Sequence, residues 1–578
     1  MKVKFDYYKE EYDLKPISEE FNEVLEKVQN CEDYDFSKTL DSKAKIKNIL
    51  ALSEIRENIL NWYPFKENAT ILEMNANYGE ITGMLCSKAS KVVSIEQSKK
   101  YAEIIQKRHN DKENLELYVG NYSNIKLEEK FDYIVIIGKP ENLNEAFEYA
   151  KNHLNDQGTI LLAINNKFGV KSWITTKEEF KFTNNEKTAV TRESLDKLFE
   201  GMNCKYYYPL PDYKLTNIIY TENTLPSLAD IYRDITYKDE NVNFKEIEAY
   251  TEIIKNNPED FKKFANSFLI EISKSEIENN DIRFVAFSNM RKDKYRVKTI
   301  VRNKHVEKSE INYKSAGHIQ KIKNNIEILN EIGIKTLDSY QDGKIISKYS
   351  ESETLEDELV KIIKEKGKEA FFGKIKEYKE FLKNKLVILE QIPENNIFTK
   401  YKIEYETEEI SKLTFIKHGL WDLIFQNCFI IDEDYYFYDQ EWYEENIPLE
   451  YIIYRAILYF HESKRYISDA EVYENLGISN YIEIFKKLDD KIQEKIRKPL
   501  MWNIHTKEEL QKNKYTKIKQ ELKLKDDELQ ELKSEVKYLR QENENLRSQN
   551  SEKSNTLMVM EHSLSWRITR PLRKLRGH

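Results

Sequence analysis

Short apolar runs alternate with helical patterns between residues 46 and 170, and this alternation constrains the fold more than any other feature of the chain. The runs are ATILEM, KVVSIE, LELYVG, FDYIVIIG and GTILLAI. Between them lie ITGMLCSKAS, KKYAEIIQKRH and LNEAFEYAKNHL, in which apolar residues recur at helical spacing. Strands that are almost wholly apolar and separated by helices are typical of parallel sheets covered on both faces. The sequence therefore predicts an α/β, Rossmann-like domain in this region.

Composition limits what the rest of the chain can be. Its 578 residues are too many for one hydrophobic core, and 33% of them are charged, which is typical of long solvated helices. The net charge of -9 argues against general nucleic-acid binding. The four cysteines form no CxxC pair, which favours reduced thiols in the cytoplasm over a zinc site. The N-terminus has no apolar run, and no stretch approaches the ~20 apolar residues that span a bilayer, so we expect a cytoplasmic protein.

The turn after the first apolar run carries a predicted cofactor site. In ATILEMNANYG a strand ends and a helix begins, which is where nucleotide-binding α/β folds hold their ligand. Gly79 is the only glycine of this turn, and Asn75 and Asn77 stand where glycines are usual. Asparagine is among the few residues that tolerate positive φ, so we expect the turn to form. Glu96 ends the next strand, where a carboxylate can accept hydrogen bonds from both ribose hydroxyls.

These motifs continue along the next two strands. Gly120 and Asn121 follow the third strand, and Asp132 opens the fourth. The order resembles that of class I methyltransferases, which use S-adenosylmethionine, and the resemblance covers roughly residues 68–170. The GxGxxG spacing of NAD-binding folds is absent.

The resemblance to class I methyltransferases implies a role for each motif residue. Glu73 and Gly79 would flank the methionine part of the cofactor, with Asn75 in the same turn. Glu96 would hold the ribose, and Asn121 would lie near the adenine. The family often has an acid where Asn121 stands, and the missing turn glycines are a larger departure.

A second group of polar residues lies in KHGLWDLIFQNCFIIDEDYYFYDQEW. Asn427 follows Asp422 by five positions, and Asp439 comes twelve positions later. Phosphoryl transfer needs a carboxylate to orient the attacking hydroxyl, and an amide oxygen and a second carboxylate to hold Mg²⁺. The spacing resembles the catalytic and metal loops of kinase-like folds, with FIIDED and YYFYDQEW forming the hairpin between them. The sequence Asp439-Gln440-Glu441 stands in place of DFG, which more closely resembles small-molecule kinases related to aminoglycoside phosphotransferases.

Three β-type runs between residues 283 and 311 match the upstream sheet that a kinase-like fold requires. Lys308 is the predicted partner of the ATP phosphates, and Lys298 is its rival, since both lie in predicted strands. The first hairpin has no glycine-rich loop, so we expect Ser288 and Asn289 to cover the phosphates. Asp422 would be the catalytic base, and Asn427 and Asp439 would bind Mg²⁺. An unrelated α+β domain with a chance acidic triad is the alternative.

Heptads begin at about residue 515 and continue to about 555. One seam of the heptads holds Leu529, Val536, Asn543 and Asn550, and the other holds Leu532, Leu539 and Leu546. Charged and polar residues fill most of the other positions, which predicts a coiled coil rather than a single solvated helix. Asparagine at two seam positions favours a homo-oligomer of fixed register, often a dimer. Residues 563–578 are basic and amphipathic, so this tail is expected to contact anionic lipid or a partner.

We divide the chain into six predicted segments. They are an N-terminal segment (1–45), a methyltransferase domain (46–222), connecting helices (223–279), a kinase-like domain (280–505), a coiled coil (515–555) and a basic tail (556–578). Their order resembles bifunctional kinase–methyltransferases that cap polymannose O-antigen chains in Gram-negative bacteria. The resemblance implies a glycan acceptor, a glycosyltransferase partner and a trimer rather than a dimer. Through its basic tail, the protein is expected to lie on the inner face of the cytoplasmic membrane. Two alternatives remain, namely a methyltransferase with a degenerate kinase-like domain and a non-catalytic scaffold.

Overall fold

The computed structural model describes residues 1–14, 19–31, 36, 40, 46–174, 189–228, 230–231, 244–277, 281–460 and 462–562. The chain divides into two compact units, Met1–His505 and Thr506–His578. Within the part of the chain that the structure describes, no helix combines the length and apolar character needed to cross a membrane. The basic residues 563–578 lie outside the described residues, so their role stays a prediction.

The N-terminal part of the first unit alternates strands with helices. Its strands are β1 (Lys2–Tyr7), β2 (Thr70–Met74), β3 (Lys91–Glu96), β4 (Leu115–Gly120), β5 (Phe131–Ile137), β6 (Leu154–Asn166), β7 (Ala189–Val190), β8 (Asn203–Leu210), β9 (Ile218–Thr221) and β10 (Ser267–Ser273). Its helices are α1 (Glu19–Gln29), α2 (Ile46–Leu52), α3 (Asn58–Asn61), α4 (Thr82–Lys88), α5 (Lys99–His109), α6 (Leu143–His153), α7 (Val170–Ile174), α8 (Arg192–Leu198), α9 (Phe244–Asn256) and α10 (Phe261–Phe264).

The rest of the first unit begins with strands and ends mainly in helices. Its strands are β11 (Ile282–Phe287), β12 (Val297–Arg302), β13 (His305–Glu310), β14 (Lys335–Thr336), β15 (Asp338–Gln341), β16 (Lys344–Lys348), β17 (Phe415–Leu420), β18 (Cys428–Ile431), β19 (Asp434–Phe437) and β20 (Tyr443–Pro448). Its helices are α11 (Ala316–Glu331), α12 (Leu355–Glu365), α13 (Gly367–Lys385), α14 (Ile397–Lys400), α15 (Thr407–Ile410), α16 (Leu449–Leu458), α17 (Asp469–Asn475) and α18 (Ile482–Ile496). Helix α19 (Pro499–His562) follows.

The parallel core of the main sheet has the order β4-β3-β2-β5-β6. This is the doubly wound order of Rossmann-like folds, in which the chain reverses direction across the sheet between β2 and β5. The predicted α/β fold of residues 46–170 is therefore confirmed. Beyond β6 the sheet continues with antiparallel β10 and then β8, which makes it a mixed sheet.

Burial along the central strands shows why they read as continuous apolar runs. Leu72 and Ile134 belong to one buried hydrophobic cluster, while their neighbours Ile71 and Val135 belong to another. Successive side chains of a strand point to opposite faces, so both faces of this sheet are covered. The apolar run of each strand is thus the direct consequence of helices packing on both sides.

Two strands differ from the prediction. Ser267–Ser273 lies where connecting helices were expected, and all seven of its residues are buried between β6 and β8. A short, mainly apolar run fits a buried strand and a buried helix equally well by periodicity. Lys2–Tyr7 lies in the N-terminal segment and pairs in parallel with β4. Its sequence, KVKFDY, alternates charged residues with apolar or aromatic ones, which was the signal for a strand.

The main sheet continues without a break into the C-terminal part of the unit. β9 pairs with β11, and the order then runs β11-β12-β13-β16-β15, all antiparallel. The three predicted β-type runs form β11, β12 and β13. The predicted hairpin is also present as β18 and β19. The strands on either side of the predicted connecting segment (223–279), β9 and β11, therefore pair with each other in one sheet.

In the second unit the structure describes Thr506–His562, which belong to helix α19. The predicted seam leucines are about half exposed, with Leu529 at 48%, Leu532 at 56% and Leu539 at 52%. The helical prediction for 515–555 thus agrees with the structure. Pairing with a second helix stays a prediction.

Candidate functional sites

A cleft of about 640 Å³ opens at the carboxyl ends of the parallel strands. Asn75 and Asn77 follow β2, Glu96 ends β3, Asn121 follows β4 and Gly138 follows β5, and all five line the cleft. Ligands of doubly wound sheets bind in this crevice, at the point where the strand order reverses. Four motifs that are separate in the sequence therefore meet in one cavity.

The turn after β2 has the backbone that the sequence predicted. Asn75 has a φ of 58° and Asn77 a φ of 49°, which is the left-handed region that asparagine tolerates. Gly79 has a φ of 70°, and a Cβ there would lie 3.0 Å from Nε2 of His109. The ring of His109 also donates a hydrogen bond of 2.8 Å to the Gly79 carbonyl. Gly79 thus allows the turn to pack closely on helix α5.

Glu96 has the geometry expected of a ribose-binding carboxylate. Its Oε2 accepts a hydrogen bond of 2.8 Å from the Asn77 N–H, and its Oε1 accepts one of 3.0 Å from the Ser98 N–H. The side chain is 7% exposed, and burial raises its pKa to about 7. A carboxylate has about four lone-pair positions, so each oxygen can still accept a hydrogen bond from a ligand.

Glu73 differs from its predicted place beside the cofactor. Its carboxylate is buried and accepts hydrogen bonds from Thr82 Oγ1 at 2.8 Å and Ser94 Oγ at 2.6 Å. The two hydroxyls hold it beneath the turn, between β3 and the start of α4. Burial raises the pKa of Glu73 to about 7. Glu73 therefore supports the cleft from below, and Gly79 likewise acts through its contact with His109.

The structure adds residues to the cleft that the motifs did not indicate. Arg56, from the short 3-10 helix Glu54–Glu57, donates a hydrogen bond of 3.1 Å to the Lys214 carbonyl and lies 3.7 Å from Glu80. Tyr213 lines the same wall, and burial raises its pKa to about 12. These residues come from segments outside the βαβ alternation. No local spacing in the sequence ties them to the turn at Asn75.

The residues of this cleft fit S-adenosylmethionine. The volume lies within the range of small-molecule sites. Glu96 offers acceptors for ribose hydroxyls, and the amide of Asn121 lines the same cleft. The Asn121 side chain also accepts a hydrogen bond of 3.0 Å from the Ser123 N–H, which fixes its orientation.

A second cluster of charged residues lies beneath the antiparallel strands. Lys308 of β13 contacts both Asp439 and Glu441, which follow the β18–β19 hairpin. Glu441 also pairs with Arg291 and lies 3.3 Å from Nε2 of His318. Burial alone would raise the pKa of Glu441, but the Arg291 and Lys308 cations hold it well below its usual range. The structure thus brings Lys308 and Asp439 together, although 131 positions separate them.

Asp422 and Asn427 occupy the loop before this hairpin. The Asn427 amide donates a hydrogen bond of 3.2 Å to the Asp422 carbonyl, as does Gln440 at 2.8 Å. Asp422 is 8% exposed and lies 3.7 Å from Arg455. Burial raises its pKa to about 6, against the opposing effect of Arg455.

Two other residues of the predicted phosphate site lie elsewhere. Lys298 donates a hydrogen bond of 3.0 Å to the Asn61 side chain, on the side of the sheet that faces helix α3. Asn289 is buried and donates hydrogen bonds of 2.9 Å to the Thr216 carbonyl and 2.7 Å to Asn217. The side chain of Asn289 is therefore directed towards the N-terminal part rather than over a phosphate site. Arg291, from the same hairpin, is the residue that reaches the charged cluster, and the sequence pattern did not indicate it.

The donor set of this cluster fits a magnesium ion held mainly by nucleotide phosphates. Asn427 and Asp439 flank the hairpin and offer one amide and one carboxylate oxygen. Among the described residues, no group of three or more His, Cys, Asp or Glu side chains could form a metal site. Mg²⁺ is usually bound by one or two carboxylates plus phosphates, so a small protein donor set suffices.

Comparisons with known proteins give similarity to solved structures only. No family model and no curated protein matches the chain. Phosphoethanolamine N-methyltransferase 1 from Haemonchus contortus, in complex with phosphoethanolamine and S-adenosylhomocysteine, is 16% identical with a TM-score of 0.27; the similarity covers 45% of this chain and 49% of that one. A SAM-dependent methyltransferase from Thermotoga maritima is 15% identical with a TM-score of 0.26, over 44% of this chain and 100% of that one. A SAM-dependent methyltransferase from Aquifex aeolicus is 15% identical with a TM-score of 0.24, over 31% and 93%. The chain spans about half the length of the Haemonchus protein.

Proposed function

We propose that the N-terminal part binds S-adenosylmethionine in the 640 Å³ cleft and transfers its methyl group. One observation carries the proposal. Glu96 lies at the switch point of a doubly wound sheet, in a cleft shared with the turn at Asn75–Asn77 and with Asn121. This is the set of positions that the class I motifs assign to ribose, methionine and adenine.

The chain's own residues would divide the binding work between them. Glu96 would accept hydrogen bonds from the ribose, while the Asn77 and Ser98 N–H groups hold its two oxygens in place. The turn from Asn75 to Tyr78 would lie along the methionine part. S-adenosylmethionine itself supplies an electrophilic methyl group bonded to sulfur. The cleft would orient the molecule that accepts the methyl group and would exclude water from it.

Phosphoryl transfer from ATP is the second proposed activity. It rests on the contact of Lys308 with Asp439 and on Asn427 at the other end of the same hairpin. Asp422 would orient an acceptor hydroxyl and take its proton, while Asn427 and Asp439 would hold Mg²⁺. Lys308 would neutralise charge on the phosphates. Without a nucleotide, the positive charge of Lys308 is neutralised by Asp439 and Glu441.

The motif resemblance supports a cell-surface glycan as the acceptor. Phosphorylation of a terminal sugar hydroxyl, and methylation of that phosphate or of another hydroxyl, would remove the nucleophile needed for chain extension. A glycosyltransferase would then be the partner. The basic tail would contact that partner or anionic lipid, which vesicle and partner pull-downs with and without residues 563–578 would test.

Two titrations of the purified full-length chain test these proposals. Calorimetry with S-adenosylmethionine and calorimetry with ATP–Mg²⁺ should both give saturable binding. Binding of S-adenosylmethionine alone would leave a methyltransferase with a degenerate second site. Binding of neither would leave a scaffold and overturn both proposals.

A further inference from the structure

The N-terminal segment lies against the two loops that carry the proposed ribose and adenine contacts of the cleft. In the parallel pairing of β1 with β4, Tyr7 stands opposite Gly120, and a Cβ on Gly120 would lie 2.6 Å from the Tyr7 carbonyl oxygen. Glycine therefore allows this close approach. In the loop that begins at Asn121, the Asn124 amide donates a hydrogen bond of 3.2 Å to the Tyr12 hydroxyl.

The next residue of the segment, Asp13, is bonded to the loop after β3 and to the first turn of helix α5. Its Oδ1 accepts a hydrogen bond from the Ser98 hydroxyl. Its Oδ2 accepts one of 3.0 Å from the Lys99 N–H and one of 3.1 Å from the Tyr8 hydroxyl. The main-chain carbonyl of Asp13 accepts a fourth, of 3.1 Å, from Nζ of Lys100. Hydrogen bonds to an ionised carboxylate are among the stronger ones, so Asp13 is firmly placed.

Ser98 links Asp13 to the proposed ribose-binding residue. Its backbone N–H donates a hydrogen bond of 3.0 Å to Oε1 of Glu96, while its side chain donates to Asp13. A serine hydroxyl has one hydrogen to donate, and here Asp13 receives it. The position of the Ser98 backbone, and with it the N–H that holds Glu96, is therefore constrained by the Asp13 carboxylate.

Asp13 lies behind the cleft surface. The described lining of the cleft includes Glu96 and Gln97 but not Asp13. Asp13 therefore has no direct contact with a molecule bound there, and its influence on that molecule passes through Ser98 and Glu96. This separates a residue that positions the site from one that binds the ligand.

We propose that Asp13 is a positioning residue of the cofactor site, which acts through Ser98 to hold the Glu96 carboxylate in the orientation that receives the ribose hydroxyls. A side chain that is held in its binding orientation before the ligand arrives loses less conformational freedom on binding, which increases affinity. The inference rests on the proposed binding of S-adenosylmethionine. It makes part of the predicted N-terminal segment (1–45) a functional element of the methyltransferase.

The first test measures the affinity of the full-length protein for S-adenosylhomocysteine by calorimetry. Asp13→Ala should weaken binding roughly five-fold, as for the loss of one hydrogen bond. Asp13→Asn keeps one acceptor oxygen and should recover part of the affinity, with a loss of about two- to three-fold. Asp6→Ala, at an exposed aspartate of the same segment, is the matched control and should bind as the unmodified chain does.

A double-mutant cycle with Glu96→Ala shows whether Asp13 acts through Glu96. In a chain that already carries Glu96→Ala, adding Asp13→Ala should change the affinity less than two-fold, because the side chain that Asp13 positions is gone. A general effect on the structure of the segment would instead weaken binding by the same five-fold factor in both backgrounds. If Asp13→Ala does not fold, Asp13→Asn replaces it in the same comparison.

The outcomes separate this inference from the proposed function. No binding of S-adenosylhomocysteine by the unmodified chain would overturn both. Binding by the unmodified chain and equal binding by Asp13→Ala would overturn the inference and leave the proposed function intact. Additive losses in the double-mutant cycle would also overturn it, since they would make Asp13 a structural residue without a role in positioning Glu96.

Discussion

The Glu96 carboxylate accepts a hydrogen bond of 2.8 Å from the backbone N–H of Asn77, which ties the end of β3 to the turn after β2. The residue predicted to hold the ribose is therefore also the residue that orders the turn beside it. In the proposed function, ligand binding and the shape of the turn would therefore be coupled through one side chain. Substitutions of Glu96 test that coupling directly.

Glu96→Ala should weaken the binding of S-adenosylmethionine at least ten-fold, about 1.4 kcal/mol, because it removes the acceptor of two hydroxyls. Calorimetry measures the change. Glu103→Ala, at an exposed position of α5, is the matched control and should bind as the unmodified chain does. Equal affinity in a folded Glu96→Ala protein would contradict the assignment.

The affinity for S-adenosylmethionine should also depend on pH. Burial raises the pKa of Glu96 to about 7, and the charged form is the better acceptor. Affinity should therefore increase as the pH rises through about 7, and Glu96→Gln should flatten this profile. The raised pKa has the opposite consequence for folding: the contribution of Glu96 to stability falls as the pH rises from about 4.5 to about 7. Weak binding at about pH 6 combined with a lower thermal stability would show unfolding instead of titration.

Two substitutions separate the proposed roles in phosphoryl transfer. Asp422→Asn should abolish turnover while ATP–Mg²⁺ still binds, because the amide cannot take the proton of the acceptor hydroxyl. Asp439→Ala should abolish metal-dependent nucleotide binding. Asp434→Asn, on the exposed end of the same hairpin, should change neither. If both variants bind ATP–Mg²⁺ and turn it over as the unmodified chain does, the assignment of phosphoryl transfer to Asp422 and Asp439 is ruled out.

Arg296 should be the most stability-critical cation at the junction between the two parts of the first unit. It is 1% exposed and bonds Glu54, Asn58 and Asn289, at 3.3, 3.4 and 3.2 Å. Arg296→Met should lower the free energy of unfolding by about 3 kcal/mol, since it leaves buried acceptors without their partner. Lys255→Met, in a surface pair, should cost under about 0.5 kcal/mol. Denaturant titration of both variants checks this, and equal stability would show that the network is not coupled to folding.

The sequence predicts local patterns well and distant pairings poorly. Strands β2 to β6 follow from apolar runs that the covered sheet requires, and the positive φ of Asn75 and Asn77 follows from their residue type. β10 was missed because SFLIEIS forms a strand by pairing with β6 and β8. The residues of β6 and β8 that pair with it lie over 60 positions earlier in the chain. For a run this short, periodicity alone does not separate a strand from a helix.

The two candidate sites show the same contrast between local patterns, which the sequence predicts, and distant contacts, which it does not. Lys308 was chosen from its place in a predicted strand and Asp439 from its spacing to Asn427, and the structure places the two side chains in contact. Arg291, His318 and Glu441 form one charged cluster with them, although no motif links these three residues. The contacts of Glu73 with Thr82 and Ser94 were not predicted, because a strand-end carboxylate looks the same in sequence whether it faces a ligand or neighbouring hydroxyls. Side-chain direction depends on tertiary packing, which the motif does not encode.

The last prediction concerns self-association through helix α19. Leu529, Leu532 and Leu539 are each about half exposed on an isolated helix, which cannot bury its own seam. A second copy of the same helix would cover this stripe, so the full-length chain should be an oligomer at micromolar concentration. The seam asparagines favour a dimer, whereas the capping-enzyme resemblance favours a trimer. A chain truncated after residue 510 should be monomeric and still folded, because the buried clusters of the first unit lie before that point. Leu532→Asp with Leu539→Asp should have the same effect in the full-length chain, while Glu531→Gln with Lys537→Gln should not. Light scattering gives the mass of each protein, and a full-length chain that runs as a monomer would contradict the prediction.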